Sequence, residues 1–149
     1  MSRERTFLMM KPGILQRRLV GEVLSRIERK GLKLIALKLM RIDDELVRKH
    51  YAEHIGKAFY EKLAEYTVSG PVVAMVAEGD DAIAVMRRLI GPTDVAAALP
   101  GTIRGDFAFH TRLNILHASD SATSAEREIP LFFKAEEIQD WTDGNERWF

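Results

Sequence analysis

The residues best equipped for chemistry lie together in the run Asn114-Ile115-Leu116-His117-Ala118-Ser119-Asp120, which continues through Ser121 to Ile129. A histidine closes an apolar stretch and is followed by small polar residues and a helix start. A helix N-terminus offers free N–H groups and a positive dipole end, so this order suits an anion such as phosphate. Neutral imidazole is itself nucleophilic near pH 7. Taken alone, a single histidine reads first as a buried, hydrogen-bonded imidazole. A serine-hydrolase triad of His117, Ser119 and Asp120 fails on geometry. Two residues apart on an extended chain means roughly 6.5–7 Å along the strand, and Asp120 points to the other face. Arg104-Gly105-Asp106 spells a cell-adhesion tripeptide, which carries too little information to weigh. The chain has neither a G-x-x-x-x-G-K-[ST] phosphate loop nor a G-x-G-x-x-G turn.

The segment as a whole is far more specific. It resembles the active-site signature of the nucleoside diphosphate kinases, Asn-x-x-His-Gly-Ser-Asp followed by Ser-Ala-Glu-x-Glu-Ile. Further motifs of that family resemble this chain in order. They are Lys11-Pro12 with Gln16-Arg17 and Leu19-Val20-Gly21-Glu22, then His50-Tyr51-Ala52-Glu53-His54 with Gly56-Lys57 and Phe59. Ser69-Gly70-Pro71-Val72-Val73-Ala74-Met75-Val76 follows, then Arg87, Thr93 and Pro100 to Phe107. The match runs over nearly the whole chain.

The resemblance implies a phosphotransferase that moves the γ-phosphate of a nucleoside triphosphate to a nucleoside diphosphate, in a ping-pong reaction through a phosphohistidine at His117. It implies that Lys11 and Asn114 contact the ribose hydroxyls and the transferred phosphate. Arg87, Thr93 and Arg104 would hold the distal phosphates, and Tyr51 and His54 would approach the phosphate in transit. Phe59 would stack on the base, and Glu128 would fix the histidine, partly through Ser119. Mg²⁺ would be held mainly by the nucleotide's phosphates and water, with no metal site built of protein ligands. It also implies a homo-oligomer, a hexamer or tetramer, with Pro100 to Asp106 near a subunit contact, and a positive φ at Ile115. On residue type alone, Arg87 beside Arg88 is equally a solvated helix face, Phe59 a member of an apolar stripe, and Lys11 a surface lysine. A silent nucleotide-binding regulator and an assembly scaffold are the other classes such a chain could serve.

The chain departs from the family pattern at a few positions. Gly13 stands where Asp is usual, and Ile14 and Arg18 where Gly is usual. Val95 replaces a common Pro, and Ala118 the Gly after the histidine. A methyl at Ala118 narrows the backbone's freedom beside the nucleophile.

The elements that must position these groups can be read from periodicity and punctuation. Thr6 to Met10 is a short buried strand. Leu19, Val20, Val23, Leu24 and Ile27 share a helical face that Gly31 terminates. Leu32 to Met40 is a strand, and Asp43 caps a helix through His50. Phe59, Lys62, Leu63 and Tyr66 share a face of the next helix. Val72 to Ala77 is a strand, and Asp80-Asp81 start a helix ending at Gly91-Pro92. Gly91 to Asp106 reads as a long ordered loop, Phe107 to His117 contains a last strand, and Ser121 to Ile129 is a helix. That order predicts an α+β sandwich of the ferredoxin-like βαββαβ type, with an antiparallel four-stranded sheet and helices packed on it.

Composition sets the outer bounds. The 149 residues suit one domain spanning 1–149, and 46% are hydrophobic, enough for a core. Lys plus Arg and Asp plus Glu both number 22. That balance argues against nucleic acid or an anionic membrane as partner. There is no cysteine, which excludes disulfides and thiolate chemistry and fits a cytoplasmic protein. The apolar run near Thr6 to Met10 is too short for a signal peptide, and none is long enough for a membrane span.

Overall fold

A computed structural model describes residues 3–149. Met1 and Ser2, at the head of the stretch judged too short for a signal peptide, lie outside them. Four strands, β1 (Arg3–Met10), β2 (Lys33–Met40), β3 (Val72–Asp80) and β4 (Leu116–Ala118), form one sheet in the order β2-β3-β1-β4. Every neighbouring pair is antiparallel. The expected ferredoxin-like α+β arrangement is the observed one.

The two central strands are apolar at successive positions because both faces of the sheet are covered. Leu8 and Met10 of β1 and Val73, Met75 and Ala77 of β3 face one core. That core is completed by Val23 and Ile27 of α1 (Val20–Lys30) and Met86 and Ile90 of α4 (Ala82–Ile90). Phe7 and Met9, with Val72, Ala74 and Val76, face the other. Val47 of α2 (Asp44–His50), Tyr60 of α3 (Tyr60–Val68) and Phe132 of α6 (Ala122–Phe132) cover that side. Helix ends follow sequence: Asp43 accepts from the Leu46 amide, and Gly31 closes α1 at φ 105°, where a Cβ is disfavoured.

Several boundaries differ from the sequence reading for local reasons. β1 begins three residues earlier because Arg3 to Arg5 pair with Glu78 to Asp80, and the Arg5 guanidinium bonds Glu78 at 3.0 Å. Asp80 therefore ends β3 rather than starting a helix. Asp81 sits at φ 51° and makes no side-chain cap for α4. The last strand is only Leu116–Ala118, because Thr111–Leu113 winds into a 3₁₀ turn before it. The stretch read as loop holds a 3₁₀ turn, Val95–Ala97, and a short helix, α5 (Ile103–Phe107). Thr102 caps α5 by accepting from the Gly105 amide. Among the described residues, no helix is long and apolar enough to cross a membrane.

Candidate active site

The pairing of β1 with β4 fixes the site. Met9 lies opposite His117, and the Ser119 amide donates to the Phe7 carbonyl at 3.0 Å. The Phe7 amide in turn donates to Ser119 Oγ at 3.1 Å. The serine hydroxyl is thereby aimed at Glu128 Oε1, 2.7 Å away. Glu128 Oε2 is 2.9 Å from His117 Nε2. A carboxylate needs a donor opposite it, so Nε2 carries the hydrogen and Nδ1 keeps its lone pair. Glu128 is buried, whereas the His117 side chain is 20% exposed at the base of a cavity of about 1100 Å³. Desolvation holds the imidazole below the usual histidine range, against the opposing pull of Glu128. A ring held below that range is neutral near pH 7, the form a nucleophilic histidine would need.

The backbone into β4 is strained where the resemblance placed strain: Ile115 has φ 63°. For a β-branched residue this costs on the order of 1–3 kcal/mol. It is held by burial and by the Lys11 amide, which donates to the Ile115 carbonyl at 2.9 Å. Arg18, in place of a usual Gly, keeps a left-handed φ of 58°. Ala118 has no such requirement. It lies in β4 and packs into the first core, so its methyl needs no unusual backbone.

Cationic side chains line the same cavity. Lys11 is 6% exposed, not a surface lysine, and its Nζ donates to Asn114 Oδ1 at 2.8 Å. Burial, helped by the nearby Arg104 charge, pushes its pKa down to about 7. Arg104 is buried too, held by the carbonyls of Asn114, Gly91 and Leu116. Burial and the Arg87 charge lower it to about 10. Arg87, in the last turn of α4, donates to the Ala118 carbonyl at 3.2 Å, so it is no idle member of a solvated face. Thr93 lines the same cavity.

Aromatic rings line the cavity too. Tyr51 stacks on His54 with ring centroids 5.9 Å apart, and His54 meets Phe59 edge-on at 5.2 Å. Phe59 is 50% exposed immediately before α3, so it is not core but a half-open ring lining the cavity, with Lys57 Nζ 5.9 Å from its centroid. Burial pushes the Tyr51 hydroxyl well above the usual range. The structure thus brings Lys11, Tyr51, His54, Phe59, Arg87, Thr93, Arg104, Asn114, His117 and Glu128 to one cavity, with Ser119 behind it.

Sequence reasoning gave no role to two neighbours. Arg127 joins α6 to the end of α2 by donating to the Lys49 and His50 carbonyls, at 3.1 and 3.3 Å. His50 is buried 4.6 Å from the His117 ring. Its only sequence signal was its place beside Tyr51. His50, His117 and Glu128 offer ligand-capable atoms within 4.8 Å of one another. Lys11, Arg104 and Arg127 surround them with positive charge, which opposes a dication there.

Comparison with known proteins agrees with this geometry. The model of the family described as nucleoside diphosphate kinase matches residues 4–138. A nucleoside diphosphate kinase of Treponema pallidum is 56% identical over 149 residues, covering 100% of both chains. One from Archaeoglobus fulgidus is 56% identical over 145 residues, covering 97% of this chain and 96% of that one. The structure of a halophilic nucleoside diphosphate kinase from Halobacterium salinarum in complex with CDP superposes with a TM-score of 0.96 at 48% identity, covering 99% and 98% of the two chains. The chain therefore belongs to the nucleoside diphosphate kinase family, a family of phosphotransferases.

Proposed function

We propose that the protein transfers the γ-phosphate of a nucleoside triphosphate to a nucleoside diphosphate in two steps through His117 Nδ1, as one nucleoside diphosphate kinase domain. The observation that carries this is the 2.9 Å contact of His117 Nε2 with Glu128, which leaves Nδ1 as the nitrogen for the cavity. The Nδ1 lone pair bonds to the γ-phosphorus as the bond to the β,γ-bridging oxygen breaks, and the nucleoside diphosphate leaves with that electron pair. The phosphoimidazole is cationic, with its charge shared onto Nε2–H and met by Glu128. A second nucleoside diphosphate attacks through its terminal oxygen and restores the free imidazole. Little more is asked of the protein than alignment and charge stabilisation.

Lys11 and Asn114 suit the ribose hydroxyls and transferred phosphate, and Arg87, Thr93 and Arg104 the distal phosphates. Tyr51 and His54 flank the phosphate in transit. Phe59 offers a stacking face that every base can use, which fits broad base tolerance. The Halobacterium relative's complex with CDP supports a nucleotide in this cavity.

The family uses a divalent cation, and Mg²⁺ fits the donor set. Glu128 is occupied by His117 and Ser119, and the other acids lining the cavity are Glu53, Glu65 and Asp120. Such a site suits an ion carried in on the nucleotide's phosphates and completed by water, with Asp120 able to receive that water. Bound Mg²⁺ would neutralise phosphoryl oxygens.

A homo-oligomer, hexamer or tetramer, also fits. β2 is an edge strand with Leu37 and Leu39 exposed, and Leu99 and Phe109 flank the 100–106 segment at 72% and 87% exposure. Dilute-solution light scattering giving a monomer would overturn this. A cysteine-free chain of this activity fits the cytoplasm. The transfer itself is tested by initial rates with ATP and several nucleoside diphosphates. Parallel double-reciprocal lines are expected, and intersecting lines would exclude the two-step route.

A further inference from the structure

The mechanism leaves one buried polar ring unused. His50, at the C-terminal end of α2, is 2% exposed, and neither of its ring nitrogens has a hydrogen-bond partner. It packs against Phe132 with ring centroids 5.2 Å apart and Phe7 at 6.0 Å, both edge-on. Such a pocket would take a phenyl ring without desolvating two nitrogens, so packing alone does not account for an imidazole. What distinguishes the position is its polar neighbour: His50 Nδ1 is 3.8 Å from Glu128 Oε2, the oxygen that meets His117 Nε2. The His50 ring stands at 81° to the His117 ring.

The geometry points to His50 as a positioning residue for phosphoryl transfer, its Nδ1–H directed at Glu128 Oε2 and its ring walling the His117 imidazole, so that Glu128 holds Nε2 and Nδ1 faces the phosphate. This rests on the reading that His117 carries the phosphoryl group. The separation exceeds hydrogen-bond length, so the N–H acts as a dipole on the carboxylate and closes on it with a shift of under about an ångström. Ser119 occupies Oε1 from the other side. Glu128 is then braced at both oxygens when it must face the cationic phosphoimidazole. Burial, reinforced by the nearby Arg127 and Lys11 and by any charge that His117 acquires, keeps His50 far below the usual histidine range, so it supplies an N–H without adding charge.

Two measurements test this. In the wild-type protein, ¹⁵N NMR should show His50 as the Nδ1–H tautomer. The Nε2–H tautomer, which would turn a lone pair on the carboxylate, overturns the assignment however any variant folds. Rapid-quench phosphorylation by ATP should then slow about tenfold or more in His50→Phe, with nucleoside diphosphate affinity within about twofold, because the lost group acts on the reacting ring and not on binding. His50→Asn, which restores a donor, should recover most of the rate. In a Glu128→Gln background, His50→Phe should add little, since both act through one group. Full rate in His50→Phe, no rescue by Asn, or additive losses would each overturn the proposal. A wild-type protein that forms no phosphohistidine would instead defeat the reading of function, while the tautomer result would still stand on its own.

Discussion

Lys11 should make nucleotide binding a proton-uptake event. Burial lowers its pKa to about 7, from 10.5 for a free lysine. That gap corresponds to ~5 kcal/mol of preference for the neutral amine. At pH 8 the amine of the empty enzyme is then mostly neutral. A phosphate beside Nζ favours the ammonium again, while a terminal phosphate with a pKa near ~6 is already ionised. Binding of a nucleoside diphosphate at pH 8 should therefore take up about 0.9 proton. Affinity should fall by up to about tenfold per pH unit between ~7.5 and ~10. The sign for stability is opposite. The unfolded state holds more protons between the two pKa values, so this group's penalty on the empty protein is full below about pH 7 and is relieved as pH rises toward 10.5. Calorimetry in buffers of different ionisation enthalpy, Hepes and Tris, measures the uptake directly. Buffer-independent heats at pH 8, or equal uptake in Lys11→Met, would refute the reasoning.

Phe59→Ala should weaken purine and pyrimidine nucleotides alike by roughly 1–3 kcal/mol, read as Kd, because the half-exposed ring offers only its face. A loss confined to one base would mean edge recognition instead. A methyl at Gly105 would stand 1.9 Å from the Leu99 carbonyl oxygen and 2.7 Å from Thr102 Oγ1. Gly105→Ala should therefore shift α5 and the adjacent Arg104, destabilising the protein by roughly 1–3 kcal/mol with loss of kcat/KM. An unchanged melting temperature would contradict that contact. Ser119→Ala leaves the Phe7 amide and Glu128 Oε1 without this buried partner, which should cost about 1–3 kcal/mol and slow phosphorylation. Unchanged melting and transfer rates would remove Ser119 from the machinery.

Most residues that the structure gathers at one cavity could be named from the sequence because the motifs holding them are local and ordered. Their environments could not, because these depend on register. The Ser119 link to Glu128 exists because β4 runs beside β1 and ties Ser119 to Phe7. Lys11 reads as a surface lysine until Asn114 and the strained Ile115 fold over it. Phe59 falls on an apolar stripe, yet α3 begins one residue later and leaves the ring half open. The five residues of α5 are too few to show a period, so Gly and Pro around them read as loop. The core faces and the cap at Asp43 were plain, since periodicity and capping chemistry act within a few residues. His50 stood in a motif without a role for the converse reason: only packing against Phe7, Phe132 and His117 makes it unusual.

His117 is proposed to carry the phosphoryl group between two nucleotides. The most direct measurement is incubation with γ-labelled ATP without an acceptor, followed by digestion and mapping of acid-labile, base-stable label. Label is expected on His117, with full discharge on addition of a nucleoside diphosphate, and neither labelling nor turnover in His117→Ala although nucleotide still binds. Label that persists in His117→Ala, or turnover without any phosphohistidine, would contradict it.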